Sequence, residues 1–249
     1  MLMQKKHQSV TTSYGCILYT IVNNELYWLF MKRRDTIALI YLLKMASHLK
    51  PFTFWYYISK ISPTERFLLQ NYHTKDLVQE FSINKAPSHK KKIHDNIVVI
   101  KENLIGQNIR TSESEWEFPK GRSMDGESFI ETAKRELIEE TALATSHISE
   151  KVYSTITENY IGLNRLPYKN IFYVLRYIKP TIIKKKYDNN IRGCSISHES
   201  SDIKWISMNE LKQLKCKRKY KEILECLTPN ILKNIECKAA ISITGTTGV

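Results

Sequence analysis

The 249-residue sequence predicts an α+β protein in which a sheet is interrupted by a mostly helical insertion, and three stretches carry that prediction. Residues 14–20 and 25–32 are rich in aromatic and β-branched residues and flank Asn23-Asn24, a pair that tolerates the positive φ of a tight hairpin. Ser62-Pro63-Thr64-Glu65 offers a helix cap, a proline at the first helical position and an acid at the third. Residues 116–143, WEFPKGRSMDGESFIETAKRELIEETAL, read as an extended segment, a Gly-containing loop and an amphipathic helix.

Taken in order, the hairpin begins the sheet, and residues 1–35 with 113–249 form one domain around an insertion at 36–112. The most apolar stretch, 37–58, is broken by Lys44, His48, Lys50 and Pro51, short of the roughly 18 uninterrupted apolar residues a membrane span needs. The helix from Ser62 continues through Phe67, Leu68, Asn71 and Tyr72 to about Phe81. Residues 84–94, with Pro87 and Lys90-Lys91-Lys92, read as a basic loop, and 96–105 as a short helix or strand. Beyond the central stretch, 152–157 and 170–177 read as strands joined by 162–168, with Tyr168, Asn170 and Phe172 on one face and Ile171, Tyr173 and Leu175 on the other. Residues 187–201 read as a polar loop and 203–206 as a last strand. Ser207-Met208-Asn209-Glu210 caps a helix running into 212–221, Thr228-Pro229 opens a final short helix, and 243–249 reads as a flexible tail.

Lysine and arginine number 38 against 25 aspartates and glutamates, a net charge of +13. The surplus clusters at Lys32-Arg33-Arg34, Lys90-Lys91-Lys92, Lys184-Lys185-Lys186 and along 215–221, a balance that suits a polyanionic partner. The insertion is also aromatic, with Phe52, Phe54, Trp55, Tyr56, Tyr57 and Tyr72, residues that serve either as stacking surfaces for RNA or as the core of a helical subdomain. Five cysteines, an odd number without CxxC spacing, argue for a reducing compartment and against structural zinc. The first ten residues lack the apolar core of a secretory signal, so the expected location is cytoplasmic.

The chemistry concentrates in the central stretch. Gly121 is followed by Glu127, Arg135, Glu136, Glu139 and Glu140. At about 100° per helical residue, Glu136, Glu139 and Glu140 fall in one arc beside an apolar stripe of Ile130, Ala133 and Leu137. Carboxylates aimed at one point repel each other, and oxygen-only ligation selects hard cations such as Mg²⁺ or Mn²⁺. Solvated i, i+4 pairing explains a lone Glu-Glu doublet, but not the fixed spacing of the whole set.

That spacing resembles the Nudix box, G-x5-E-x7-R-E-U-x-E-E-x-G-U with U a bulky aliphatic residue, and Ala142 stands where the family has its second glycine. The glycine ends the helix in a left-handed conformation, which alanine adopts at a cost of about 1 kcal/mol. The resemblance implies a Nudix α/β/α sandwich with a mixed sheet, and hydrolysis of a phosphoanhydride. It implies Glu136, Glu139 and Glu140 as metal ligands, with Glu127 acting through a water or a second metal and Arg135 orienting the carboxylates. A main-chain carbonyl near Lys120 or Gly121 would complete the coordination, and Lys120 would meet a phosphate. Glu199, six positions before Trp205, is the candidate for a further acid from a distant loop, and Glu199, Glu136 and Glu127 all stand as candidates for general base.

The flank WEFPKGR resembles the W-x-F-P-[KR]-G-K of messenger-RNA decapping enzymes. The delayed box, SPTERFLLQNY, SYGCILYTI and YKNIFYV are similar to the viral decapping Nudix hydrolases of African swine fever virus and related large DNA viruses. This implies cleavage of the 7-methylguanosine cap to 7-methyl-GDP and 5'-monophosphate RNA in the host cytoplasm. Capped RNA would then be the partner, with the insertion and Lys90, Lys91 and Lys92 on its body. A methylated guanine is cationic, and Tyr168 and Phe172 are the candidates to stack on it, with Tyr41 a candidate second face. Diphosphoinositol polyphosphates form a second substrate class that suits the same basic surface. A basic RNA-binding protein with an inactive box is the remaining reading, and the intact glutamate set argues against it.

Overall fold

A computed structural model describes residues 10–82, 86–105, 114–162, 166–178, 186–187, 194–195 and 199–244. The chain divides into two compact units, residues 1–31, 116–184 and 203–249 on one hand and residues 32–115 and 185–202 on the other. The elements run β1 (Thr11–Val22), β2 (Glu25–Arg33), α1 (Ile37–Met45), α2 (Pro51–Ile58), α3 (Pro63–Asn71), α4 (Thr74–Phe81), α5 (Pro87–Leu104), β3 (Trp116–Glu117) and β4 (Lys120–Gly121). They continue with α6 (Phe129–Thr141), β5 (Ser154–Ile161), β6 (Pro167–Arg176), β7 (Lys186–Tyr187), β8 (Cys194–Ser195), β9 (Ser200–Ser207), α7 (Met208–Leu211) and α8 (Arg218–Thr244).

Among the described residues the main sheet has the order β3-β2-β1-β6-β5, with β4 also on β1 and β9 also on β2. It is mixed, since β1 runs parallel to β6 and antiparallel to β2 and β4. Asn23 and Asn24 turn the first hairpin at φ 50° and 63°. Both faces of β1 are covered. Cys16 and Leu18 pack with Ala133 and Leu137 of α6, while Ile17 and Tyr19 pack in the cluster that holds Tyr220, Leu224 and Ile231 of α8. A strand buried on both sides reads as a continuous apolar run, and the layers are those of an α/β/α sandwich. On β6 the alternation is as expected, with Phe172 and Val174 toward α8 and Ile171, Tyr173 and Leu175 toward α6.

The C-terminal elements differ from the expected ones. The helix capped by Ser207 closes its capping box with Glu210 and ends at Leu211, and α8 runs through Pro229 instead of starting there. An internal proline costs about 3 kcal/mol, but Tyr220, Leu224, Leu227 and Ile231 put one continuous stripe in the core on both sides of it. Thr228 donates its hydroxyl to the Leu224 carbonyl (2.7 Å) and Asn230 its amide to that of Cys226 (3.1 Å). Where a polar loop was expected at 187–201, β7 pairs with β8, and β9 already begins at Ser200; residues 188–193 and 196–198 lie outside the described residues. Of the expected tail, 243–244 belong to α8 and 245–249 lie outside the described residues.

The second unit packs α1 to α5 around Leu39, Leu42, Tyr57, Leu69, Leu77 and Ile100. The expected helix to Phe81 is broken at Tyr72, whose extended backbone (ψ 153°) ends α3 before α4. The Lys101 ammonium donates to the Tyr72 carbonyl freed there (2.5 Å). Residues 87–104 form one helix rather than a loop and a short element, because Pro87 sits at its start, where a missing N–H costs nothing. The capping box at α3 is present, and it does more than cap. Buried Glu65 accepts the Ser62 N–H (2.6 Å) and also the N–H (2.5 Å) and hydroxyl (2.8 Å) of Thr36, the N-cap of α1. One carboxylate thus joins the starts of two helices, and burial pushes its pKa up despite these donors. Among the described residues, no helix is long and apolar enough to cross a membrane.

Candidate active site

The 116–121 segment is fixed from several sides. Trp116 donates its N–H to the Lys215 carbonyl (3.0 Å), and Phe118, fully buried, packs on Phe30 (4.8 Å) and Tyr220 (4.5 Å). Cys16 donates its N–H to the Pro119 carbonyl (3.1 Å). That approach explains Gly15, where a Cβ would fall 2.3 Å from the Pro119 oxygen. At Gly121 the approach is of another kind, since a Cβ there would lie 2.0 Å from the carboxyl carbon of Glu136, the end of a side chain and not backbone. The Glu136 carboxylate therefore rests against the loop backbone.

Helix α6 starts with a capping box between Ser128 and Glu131 and buries Ala133 and Leu137. Ala142 ends it at φ 55°, the left-handed conformation for which the family keeps glycine, with its N–H on the Ile138 carbonyl (2.8 Å). Glu140 is buried and accepts the Lys120 N–H (2.8 Å). Arg135 gathers the other carboxylates. Its Nε and Nη2 meet the two oxygens of Glu127 (2.6 and 3.2 Å), and Nη1 meets Glu136 (2.7 Å) and Glu139 (2.9 Å). Glu127 also accepts the Met124 N–H (3.0 Å) and the Thr132 hydroxyl (3.0 Å). The Arg135 guanidinium, with the Met124 N–H, holds the Glu127 carboxyl down at about 2, and Glu127 in turn raises Arg135 further.

The three glutamates share an arc as the sequence predicts, but their carboxylates are divided. Glu136 and Glu139 go to Arg135, and Glu140 goes to the Lys120 N–H. Among the described residues, no three His, Cys, Asp or Glu side chains stand grouped as a ligand set. The residues nonetheless fit a hard divalent ion. Their donors are oxygen alone, Glu140 is anchored, Glu136 lies in the cradle left by Gly121, and the Glu139 side chain is 54% exposed and able to turn.

The remaining sequence candidates fall in different surroundings. Lys120 Nζ lies 2.6 Å from Glu117, with both side chains largely buried. Tyr168 is partly buried and stacks on Tyr160, with centroids 5.3 Å apart and planes 15° apart. Phe172 is fully buried against Phe118 and Tyr220, so the strand alternation makes it core and removes it as a surface for a base. Tyr41 stacks on Tyr57 (4.3 Å) within the packing of the helical unit. Lys90, Lys91 and Lys92 are exposed on the first turns of α5. Glu199 belongs to the same unit as those lysines and is exposed, and its carbonyl accepts the Arg34 N–H (2.8 Å).

Two groups were missed in the sequence. One is Glu117, whose only signal was an opposite charge three residues on. The other is Glu158, 2% exposed, which accepts the Asn170 amide (2.7 Å) and lies 4.0 Å from Lys217, whose ammonium sits 4.7 Å over the Tyr160 ring. Its partners come from separate elements, so no local spacing announces them.

Comparison with known proteins bears on the same elements. No curated protein matches the chain. Among solved structures, it is similar to a C. elegans Ap4A hydrolase in a binary complex, at 12% identity and a TM-score of 0.47 over 89% of this chain and 98% of that one. It is also similar to the Nudix hydrolase RenU of M. smegmatis, at 9% identity and a TM-score of 0.43 over 89% and 88%. A third is the NUDIX domain of Shewanella oneidensis NrtR complexed with ADP ribose, at 13% identity and a TM-score of 0.44 over 92% and 94%. The NUDIX domain model matches residues 90–226, more than half of the chain, and with the box helix packed on one face of a mixed sheet this chain belongs to the Nudix hydrolase family.

Proposed function

We propose that this chain is a metal-dependent pyrophosphatase that cleaves the 7-methylguanosine cap of messenger RNA. Water would add across a phosphoanhydride bond, leaving 7-methyl-GDP and a 5'-monophosphate RNA. The observation that carries the hydrolytic part is the division of labour around α6, where Arg135 gathers Glu127, Glu136 and Glu139 while the Lys120 N–H anchors Glu140. The flank WEFPKG and the net charge of +13 support RNA as the substrate.

Glu136, Glu139 and Glu140, with the Gly121 carbonyl, would hold the divalent ion, Mg²⁺ or Mn²⁺. Bound there, it would neutralise phosphate charge and ease deprotonation of the attacking water. Arg135 orients the carboxylates, and Glu127 orients Arg135. Glu127 has both oxygens engaged and a depressed pKa, so its own affinity for a proton is low. Among the candidates in the sheet unit, Glu136 is the better one for general base. Lys90, Lys91 and Lys92 would contact the RNA backbone, and Tyr168 would stack on the methylated base.

The test is incubation of the protein and its Glu140→Gln variant with cap-labelled RNA in Mg²⁺ or Mn²⁺, with Ap4A, ADP-ribose and a diphosphoinositol polyphosphate alongside. Release of 7-methyl-GDP by the parent alone supports the reading. Turnover of another of these substrates with intact cap replaces decapping by that activity.

A further inference from the structure

We infer that Glu117 and Lys120 form an ion pair that positions Glu140 for the metal, and that the Lys120 ammonium works by holding this segment instead of touching a phosphate. The inference rests on the reading of Glu140 as a metal-side carboxylate. Lys120 has two attachments. Its N–H donates to Glu140 Oε2 (2.8 Å), and its ammonium lies 2.6 Å from Glu117 Oε2, with side-chain exposures of only 11% and 8%.

The direction of that N–H belongs to the planar Pro119–Lys120 peptide. The same plane carries the Pro119 carbonyl, which accepts the Cys16 N–H (3.1 Å). One plane is thus pinned to β1 on one edge and to Glu140 on the other. The ion pair ties together the residues on either side of Phe118-Pro119, Phe118 is locked in the core, and Pro119 has a fixed φ. Rotation of the plane would swing the N–H off Glu140, and the pair resists it. Moving the ammonium to a phosphate would separate two charges that are both largely out of water, an unfavourable exchange. Glu117 and Lys120 are accordingly positioning residues.

The test measures Mn²⁺ affinity of the full chain by electron paramagnetic resonance, with KM and kcat for whichever phosphoanhydride the parent hydrolyses. E117Q should weaken Mn²⁺ binding about tenfold, the usual effect of losing an outer partner of a ligand. The charge swap Glu117→Lys with Lys120→Glu should bring it back to within about threefold of the parent, as expected for coupled neighbours. Parent-like Mn²⁺ binding by E117Q would overturn the inference, and so would a swap that binds Mn²⁺ normally but has a KM raised far above the parent's, since that marks a lost phosphate contact. Should E117Q fail to fold, the swap decides alone. E140Q separates the two levels: Mn²⁺ binding that survives E140Q overturns the metal reading of Glu140 together with the inference, while binding lost in E140Q and untouched in E117Q removes only the ion pair.

Discussion

The helical unit and the sheet unit each start a helix with Ser-x-x-Glu, at Ser62–Glu65 and Ser128–Glu131, and the two glutamates meet different surroundings. Glu131 is exposed and serves Ser128, whose hydroxyl and N–H hold its carboxyl below the usual range. Glu65 is 2% exposed and takes two further donors from Thr36, and burial pushes its carboxyl above the usual range. The motif announces a helix start in both cases. What the charge does energetically is set by how much water the fold leaves around it.

The largest effect should come from the candidate site carboxylates, which the proposed function assigns to chemistry more than to folding. Glu140→Gln, or chelation of the metal from the parent, should lower kcat about a thousandfold, the several kcal/mol that a metal's charge supplies. Thermal unfolding of E140Q should stay close to the parent's. Glu65→Ala should behave in the opposite way, destabilising the helical unit by about 3 kcal/mol in urea titrations, because the Thr36 and Ser62 donors lose their acceptor in a buried place. Glu131→Ala should change stability little.

Titration sharpens the contrast. The raised carboxyl of Glu65 stabilises the fold below its ordinary value of 4.5, and that contribution is lost as pH rises through the folded pKa. Urea midpoints from pH 4 to 8 should therefore shift in favour of Glu65→Gln over the parent as pH rises. For Glu127 the sign is reversed, with stability present above 4.5 and lost as pH falls toward about 2. A parent-minus-Gln difference at Glu65 that is flat with pH would remove the contrast.

Smaller effects test each unit separately. Reversing Lys90, Lys91 and Lys92 to glutamate should weaken RNA binding about tenfold and flatten its salt dependence. Filter binding at two salt concentrations measures both. In the sheet unit, Ala142→Gly should raise stability by about 1 kcal/mol by relieving the left-handed alanine, a shift that calorimetry resolves.

What was legible in the sequence was local. Asn23-Asn24 turn the hairpin because two adjacent residues tolerate positive φ, the box glutamates share an arc because helical spacing puts them there, and Ala142 ends its helix where the pattern places it. Less legible were features decided by distant packing. Pro87 starts a helix and Pro229 lies inside one, although the same residue type usually breaks them, and only the buried stripe of α8 distinguishes the second case. Phe172 and Tyr168 share a face of β6, yet α8 covers one of them completely. The Glu117–Lys120 charges stand three residues apart, and only their burial distinguishes them from a solvated pair.

Gly15 carries a consequence for how variants of this chain should be interpreted. A single methyl at that position would strike the Pro119 oxygen and displace the peptide whose N–H holds Glu140. A substitution in the first strand could thus silence the enzyme with its box intact and every acidic side chain in place. In a genetic screen such a variant would look like a folding defect, and only a metal-binding measurement would trace the loss to the 116–121 segment.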